Sequence, residues 1–111
     1  MPIDSQSFET LAENTLDDLM EQIDESLGDR MEVDLDGGIL TIELENGGQY
    51  VINKQAPNKE IWVSSPISGA KHFTYNDGLK AWTDTRGEDK LYDFLSSELS
   101  QASGQVFALE G

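Results

Sequence analysis

Apolar side chains near the start of the chain recur at intervals of three and four residues. This spacing matches the 3.6-residue period of an α-helix and places one apolar stripe along one face. It predicts a helix over about residues 5–27, with Asp4 or Ser5 as the N-cap and Gly28 as the stop. The stripe consists of Phe8, Leu11, Ala12, Thr15, Leu16, Leu19, Ile23 and Leu27.

After Arg30 the apolar period changes from 3.6 to 2, which is typical of β-strands with one buried face. Turn-forming clusters such as Asp36-Gly37-Gly38 and Asn46-Gly47-Gly48 separate the alternating segments. The pattern therefore predicts an antiparallel meander of five to six strands over about residues 31–83. The predicted strands cover residues 31–36, 40–45, 49–55, 60–65, 71–75 and 79–82.

A second helical period follows the predicted sheet and favours a helix over about residues 87–102. The segment Thr85-Arg86-Gly87-Glu88 matches a capping box at its start. The apolar stripe of this helix consists of Leu91, Phe94, Leu95, Leu99 and Ala102.

The tail, residues 103–111, is too short to fold by itself, and we expect Val106, Phe107 and Leu109 to pack in a groove between the helices. Two amphipathic helices must bury their stripes on a common surface, and one face of the sheet is the only candidate. The sequence therefore predicts one α+β domain over residues 1–111, a two-layer α/β sandwich with both helices on one face of an antiparallel sheet. The other face is expected to be open to solvent.

Acidic residues outnumber basic residues by 22 to 7, and the formal net charge is −15. The excess is concentrated in residues 1–46, which contain 14 acids and a single base. Such a surface repels nucleic-acid phosphates and anionic membranes, and it attracts cations or basic protein surfaces. We therefore expect neither a nucleic acid nor a membrane as a partner.

The chain contains no cysteine, which excludes disulfides, thiolate metal sites and cysteine nucleophiles. No apolar run approaches the roughly 20 residues of a membrane-spanning helix. Residues 1–14 do not have the pattern of a signal or transit peptide. These features favour a bacterial cytoplasmic protein, and the alternative is a mitochondrial matrix protein whose transit peptide has been removed.

Five acidic residues in the first helix are spaced by four, so they form one row on its exposed side. Like charges at this spacing destabilise a helix by a few tenths of a kcal/mol per pair, and no basic residue relieves them within the helix. The helix loses stability to this arrangement, which indicates a functional acidic surface. The row consists of Glu9, Glu13, Asp17, Glu21 and Glu25, with Asp18 and Asp24 beside it.

Residues 32–43, EVDLDGGILTIE, place acidic residues and a glycine as an EF-hand calcium loop does. An EF-hand requires helices on both sides of its loop, whereas the residues after Glu43 have strand periodicity and two turn glycines. We therefore interpret this stretch as a β-hairpin whose carboxylates extend the acidic row of the first helix.

Residues 50–73, YVINKQAPNKEIWVSSPISGAKHF, closely resemble the frataxin family, including its bacterial members. FETLAENTLDDL and DGGILTIELENG extend the resemblance more loosely over the first helix and the first hairpin. The family's helix–sheet–helix fold agrees with the order of the predicted elements. The matching positions in the central stretch are Tyr50, Asn53, Lys54, Gln55, Pro57, Asn58, Ile61, Trp62, Ser65, Gly69 and Phe73.

The resemblance implies weak surface binding of iron, as Fe²⁺ or Fe³⁺, and no organic cofactor. It also implies a non-enzymatic role in iron–sulfur cluster assembly, as iron donor, as regulator of the complex of cysteine desulfurase and scaffold protein, or as both. A ferroxidase activity is the alternative, although nothing in the sequence builds the buried Glu-x-x-His di-iron site of such enzymes. We expect a monomer, with iron-dependent oligomers as an alternative. Exposed oxygen ligands suit such ions without strong selectivity. By position, the acidic ridge implied by the family comprises Asp17, Glu21, Asp24, Glu25, Asp29, Glu32 and Asp34.

Trp62 alternates with Ile61 and Val63, so it lies on the open sheet face if those two residues face the helices. Asn53 and Gln55 of the preceding strand would then lie on the same face. An exposed tryptophan flanked by amides is typical of an interface anchor, and we predict a partner-binding surface there. His72, the single histidine, is interpreted as incidental.

An acidic mimic of nucleic acid, or another acidic docking module without an iron function, is the alternative. A mimic requires carboxylates over most of its surface. Residues 47–73 contain one acid, Glu60, and three lysines, which favours the frataxin-type function.

Overall fold

The computed structural model describes residues 4–45 and 47–110. Within these residues the chain forms one helix, six strands and a second helix in that order. The elements are α1 Ser5–Leu27, β1 Glu32–Asp36, β2 Ile39–Glu43, β3 Gln49–Gln55, β4 Glu60–Ser65, β5 Gly69–Asn76, β6 Ala81–Asp84 and α2 Leu91–Ser103, with a short 3₁₀ turn at Ala56–Asn58.

Each strand pairs antiparallel with the next one, so the sheet has the order β1-β2-β3-β4-β5-β6. The connection between β1 and β2 is a two-residue turn in which Asp36 pairs with Ile39. Gly37 and Gly38 have φ angles of 59° and 80°. A left-handed conformation at both central positions matches the right-handed twist of a hairpin and favours glycine at each. The predicted meander is confirmed.

Both helices pack on one face of the sheet, and the hydrophobic core lies between the two layers. The predicted two-layer α+β sandwich is therefore confirmed. Neither helix of the described residues combines the length and apolar composition that crossing a bilayer requires. The core includes Phe8, Ala12, Leu16, Leu19, Ile23 and Leu27 of α1, Leu40, Ile42, Tyr50, Ile52, Ile61, Val63 and Phe73 of the sheet, and Leu91, Leu95 and Leu99 of α2.

The boundaries of α1 agree with the prediction, and Asp4 is its N-cap. The Ser7 backbone N–H donates to Asp4 Oδ1 at 2.7 Å, and this hydrogen bond lowers the pKa of the Asp4 carboxyl. Gly28 follows the last helical residue, and its N–H donates to the Asp24 carbonyl oxygen at 2.9 Å. A Cβ atom at Gly28 would lie 2.3 Å from that oxygen, so a side chain there would require the chain to shift.

The predicted start of α2 is wrong, because the helix begins at Leu91 and the residue at its N-cap, Lys90, makes no side-chain capping bond. Asp84 prevents an earlier start. Its Oδ1 accepts the Arg86 N–H at 2.9 Å, and its own N–H donates to the Asp89 carbonyl at 2.8 Å. The chain is thereby held against the end of β6, and helical geometry becomes accessible only after Lys90.

The C-terminal tail packs between the helices as predicted for Phe107 and Leu109, which are buried. Val106 is 98% exposed, so its predicted burial is wrong. Exposed and buried side chains alternate along residues 106–110, as they do in an extended segment whose successive side chains point in opposite directions. Backbone N–H groups of Phe107 and Leu109 donate to the Ser100 and Ser96 hydroxyls at 2.9 and 2.8 Å, which fixes which side faces inward.

The end of the tail is also attached to α1. The Gln22 side-chain amide donates to the Glu110 carbonyl oxygen at 2.7 Å and accepts the Glu110 N–H at 2.8 Å. The tail therefore joins both helices of the layer.

Candidate functional site

The first two acids of the α1 row share one lysine that projects from β3. Lys54 Nζ donates to Glu13 Oε1 at 3.1 Å and forms a second ion pair with Glu9. These contacts, the one with Glu9 first, raise the pKa of the Lys54 ammonium. The negative charge of the N-terminal part of the row is therefore partly compensated by Lys54.

The seven residues of the acidic ridge lack such compensation. In residues 4–45 and 47–110, no lysine, arginine or histidine nitrogen lies within 4.0 Å of any of their carboxylates. All seven are exposed. The ridge comprises Asp17, Glu21, Asp24 and Glu25 of α1, Asp29 after it, and Glu32 and Asp34 of β1.

Asp18 lies beside the row but has a different environment. Its Oδ2 accepts hydrogen bonds from the Tyr92 hydroxyl at 2.6 Å and from Gln22 Nε2 at 2.9 Å. Burial, and then the hydrogen bond to Asp18, raise the pKa of the Tyr92 phenol. Asp18 therefore joins α1 to α2 through Tyr92.

The two β1 members of the ridge do not simply continue the row on the helix. Val33 and Leu35 are half-buried and pack against the core beneath α1. Glu32 and Asp34 alternate with them and so lie on the other face of this edge strand. The ridge therefore turns around the edge of the sheet towards its open face.

Asp29 and Glu32 line the same shallow depression at the end of α1. Glu43 and Glu45 line it as well, and neither was predicted from the sequence as a site residue. Glu43 is the pairing partner of Glu32 across the β1–β2 hairpin. The turn glycines of that hairpin give its register, so the sequence did contain a signal for Glu43.

The ridge carboxylates are not grouped into a compact metal site. Within residues 4–45 and 47–110, no three His, Cys, Asp or Glu side chains are placed so that they could hold one metal ion.

The open sheet face has Trp62 at its centre. Ile39, Asn53, Trp62 and His72 are successive pairing partners across β2, β3, β4 and β5. Ile61 and Val63 are buried against the helices, which places the half-buried Trp62 on the opposite face, as predicted. Ile39, 47% exposed, places an apolar side chain on this face, and the alternation of β2 in the sequence could have predicted this position.

The two predicted amides lie on this face in different settings. Asn53 is the direct pairing partner of Trp62, and its Nδ2 donates to the Lys54 carbonyl oxygen at 3.2 Å. Gln55 pairs with Glu60, two positions further along the strands, and its Oε1 accepts the Asn58 N–H at 2.9 Å. The structure thus brings Asn53 next to Trp62, while the Gln55 side chain caps the 3₁₀ turn.

Glu60 and His72 contact Trp62 directly, and neither was predicted from the sequence as part of the site. Trp62 Nε1 donates to Glu60 Oε1 at 2.7 Å. The His72 imidazole stacks on the indole with ring centroids 4.4 Å apart and an angle of 9° between the planes. His72 Nδ1 lies 3.7 Å from the same Glu60 oxygen. His72 is therefore a neighbour of the candidate anchor, and its interpretation as incidental does not account for this contact.

Comparison with known proteins decides the family. Residues 1–105 match the family model described as a frataxin-like domain. The chain belongs to the frataxin family. It is 38% identical over 112 residues to the mitochondrial frataxin of Arabidopsis thaliana, covering 96% of this chain and 59% of that protein. It is 37% identical over 113 residues to the iron-sulfur cluster assembly protein CyaY of Cupriavidus metallidurans, covering 98% of each.

This frataxin-family chain spans about six tenths of the length of the mitochondrial relatives from Arabidopsis, Schizosaccharomyces pombe and Dictyostelium discoideum. Solved structures of frataxins have the same fold. The frataxin of Psychromonas ingrahamii superposes with a TM-score of 0.85 at 29% identity, covering 98% of this chain and all of that one. A trimeric frataxin from Saccharomyces cerevisiae, complexed with ferrous iron, gives a TM-score of 0.75 at 38% identity, covering 85% and 86%.

Proposed function

We propose that this frataxin-family chain acts in iron–sulfur cluster assembly without being an enzyme. It binds iron weakly on the acidic ridge and docks through the open sheet face on a complex of cysteine desulfurase and scaffold protein, whose activity it regulates. The name of the CyaY relatives and the ferrous complex of the yeast relative support this role.

The observation that carries the proposal is the presence of two chemically different surfaces on one small domain. In the part of the chain that the structure describes, the ridge carboxylates are exposed and have no cationic partner within 4.0 Å, whereas the open face presents a tryptophan whose ring contacts Glu60 and His72. A surface that only maintains solubility would not need the second feature. A surface that only docks proteins would not need uncompensated like charges along a helix.

The ridge suits iron as a cargo that is accepted and released. Carboxylate oxygens are hard ligands for Fe²⁺ and Fe³⁺. Among the described residues, no three of these side chains are placed to hold one ion in a fixed geometry. The same charges would attract a basic surface on the partner and speed the encounter. Metal binding and docking would therefore compete for, or share, the same carboxylates.

The experiment is an anaerobic titration of the ¹⁵N-labelled chain with Fe²⁺, followed by NMR, with Ca²⁺ in parallel. We expect paramagnetic broadening centred on residues 17–36, which contain the ridge, and reaching Glu43 and Glu45, which line the same depression as Asp29 and Glu32. Broadening spread over the whole chain would contradict the assignment of the ridge. Binding of the unmodified chain to a purified desulfurase–scaffold complex is measured alongside.

A docking module without an iron function is the second candidate, because the described residues contain no three-ligand cluster. It predicts an Fe²⁺ titration without site-specific broadening, together with undiminished binding to the partner complex. The two measurements therefore separate the candidates.

A further inference from the structure

The environment of Glu60 is unusual for a surface carboxylate. Its side chain is 17% exposed, and within the described residues no lysine or arginine nitrogen lies within 4.0 Å of it. Removing a carboxylate from water is unfavourable unless it is compensated by hydrogen bonds or opposite charges. Here the compensation comes from the indole N–H of Trp62, at 2.7 Å, with the imidazole of His72 at 3.7 Å.

Glu60 and His72 restrict different movements of the tryptophan. Glu60 lies two residues before Trp62 on the same strand and face, and its oxygen fixes the direction of the indole N–H. His72 is the direct pairing partner of Trp62 on β5 and covers one face of the ring. Together the two contacts oppose rotation about the side-chain bonds of Trp62.

An anchor that is ordered before binding loses less conformational entropy when the complex forms. Asn53 borders Trp62 from the other neighbouring strand, and its side chain bonds to the backbone. Among the described residues, the indole of Trp62 makes its hydrogen bond with Glu60 and its ring contact with His72.

We propose that Glu60 and His72 are positioning residues that hold the Trp62 indole in one orientation on the open face and thereby strengthen docking. The effect on docking rests on the proposed function, whereas the effect on the indole does not. A purely stabilising role would instead lower the stability of the whole domain without a specific effect on Trp62.

The chain contains a built-in reference for the test. Trp82 is the other tryptophan, and its Nε1 donates to Thr15 Oγ1 at 2.9 Å on the helix side of the sheet. The two indole N–H signals are followed by ¹H–¹⁵N NMR in the unmodified chain and in Glu60→Ala, Glu60→Gln and His72→Ala. Glu88→Ala, which removes an exposed acid from the loop before α2, is the matched control.

In Glu60→Ala we expect the Trp62 indole signal to move and its hydrogen exchange to accelerate about twofold to tenfold, as loss of one hydrogen bond implies. Glu60→Gln keeps an acceptor oxygen, so its Trp62 indole signal should lie close to that of the unmodified chain. His72→Ala should change the indole shift by removing the stacked ring. Trp82, and both signals in Glu88→Ala, should remain in place. An unchanged Trp62 signal in Glu60→Ala would overturn the proposal.

Docking to the desulfurase–scaffold complex is then measured for the same variants and for Trp62→Ala. We expect Glu60→Ala to weaken docking about twofold to tenfold, with Glu60→Gln close to the unmodified chain. If Trp62→Ala weakens docking and Glu60→Ala does not, the claim that positioning of the indole strengthens docking is wrong. If Trp62→Ala itself has no effect, the proposed docking surface is wrong, and the indole signals alone decide whether Glu60 and His72 orient the ring.

Discussion

On the acidic ridge, seven carboxylates have no cationic nitrogen within 4.0 Å among the described residues, whereas on the open face Trp62 contacts two side chains. The ridge side chains are exposed and free to adapt to a ligand. The tryptophan is half-buried, and its ring is fixed by contacts from β4 and β5.

This difference separates two kinds of binding. Uncompensated, mobile charges give affinity for many cations and a strong dependence on salt, but little selectivity. A preorganised aromatic side chain gives a specific contact at low entropic cost. We infer that the ridge attracts cations and basic surfaces without strong selectivity, while the open face determines which partner binds. The following predictions test this division.

The largest effect is expected for Trp62→Ala. Loss of a central aromatic anchor should weaken docking on the proposed partner complex by at least about 2 kcal/mol, or roughly thirtyfold. Folding and Fe²⁺ binding on the ridge should be nearly unchanged, because Trp62 lies outside the core. Calorimetry measures docking and Fe²⁺ binding, and circular dichroism of the variant measures folding. Docking at full strength would show that the face does not select the partner.

A smaller effect is expected when Asp17, Glu21, Asp24 and Glu25 are replaced together by Asn or Gln. Fe²⁺ binding should fall roughly tenfold, or about 1.4 kcal/mol, as most of the helix charge is removed. The free energy of unfolding should rise by about 1 kcal/mol, because several repulsive pairs disappear. Chemical denaturation checks the second expectation. A loss of stability would mean that these acids have structural roles after all.

Tyr92→Phe sharpens the boundary of the ridge, since it removes a partner of Asp18 without touching the seven ridge residues. The free energy of unfolding should fall by about 1 kcal/mol, the usual contribution of one hydrogen bond. Metal titration should be unaffected. A change in Fe²⁺ binding would place Asp18 within the ridge.

The same contact gives a pH dependence. Burial, and then the hydrogen bond to Asp18, raise the pKa of Tyr92, so its neutral form favours folding. This contribution is fully present below the unfolded pKa of about 10 and is lost as the pH rises further. Unfolding of the unmodified chain should therefore become easier above about pH 10, and Tyr92→Phe should show a shallower decline.

The smallest effect is expected for Lys54→Gln, which releases Glu9 and Glu13 from their ion pairs. Exposed ion pairs contribute up to about 1 kcal/mol each, so the domain should lose about 0.5 kcal/mol. Cation binding should then extend towards the start of α1. Lys80→Gln is the control, because Lys80 forms no ion pair within residues 4–45 and 47–110. Equal behaviour of the two variants would show that only net charge matters.

Local periodicity was sufficient to predict most of the fold. The stripe of α1 and the alternation of β3 and β4 depend on neighbours in the chain, so their boundaries were readable. The start of α2 was not readable from local periodicity. Asp84 accepts the Arg86 backbone N–H and donates its own N–H to the Asp89 carbonyl oxygen, and these hydrogen bonds compete with helix formation. A capping-box pattern does not reveal such a competitor.

The candidate site was predictable to the extent that it follows these periods. The α1 acids share one face because of the helical period, and Trp62 faces outward because Ile61 and Val63 face inward. The contacts of Lys54 with α1 and of His72 with Trp62 depend on strand register and on the packing of the layers. Such relations join residues distant in the chain, and no local pattern encodes them.

The attachment of the tail to Gln22 affects how metal binding should be measured. The backbone of Glu110 is hydrogen-bonded to the Gln22 side chain, and Gln22 directly follows the ridge residue Glu21 in α1. Residues added after Glu110 would therefore begin close to the ridge. A polyhistidine tag placed there would add strong imidazole ligands beside the ridge carboxylates and create an artificial binding site. Asp4, at the other end of α1, lies about 27 Å from Gln22 along the helix axis. The row acids nearest to Asp4, Glu9 and Glu13, are already paired with Lys54, which favours that end of the chain for a tag.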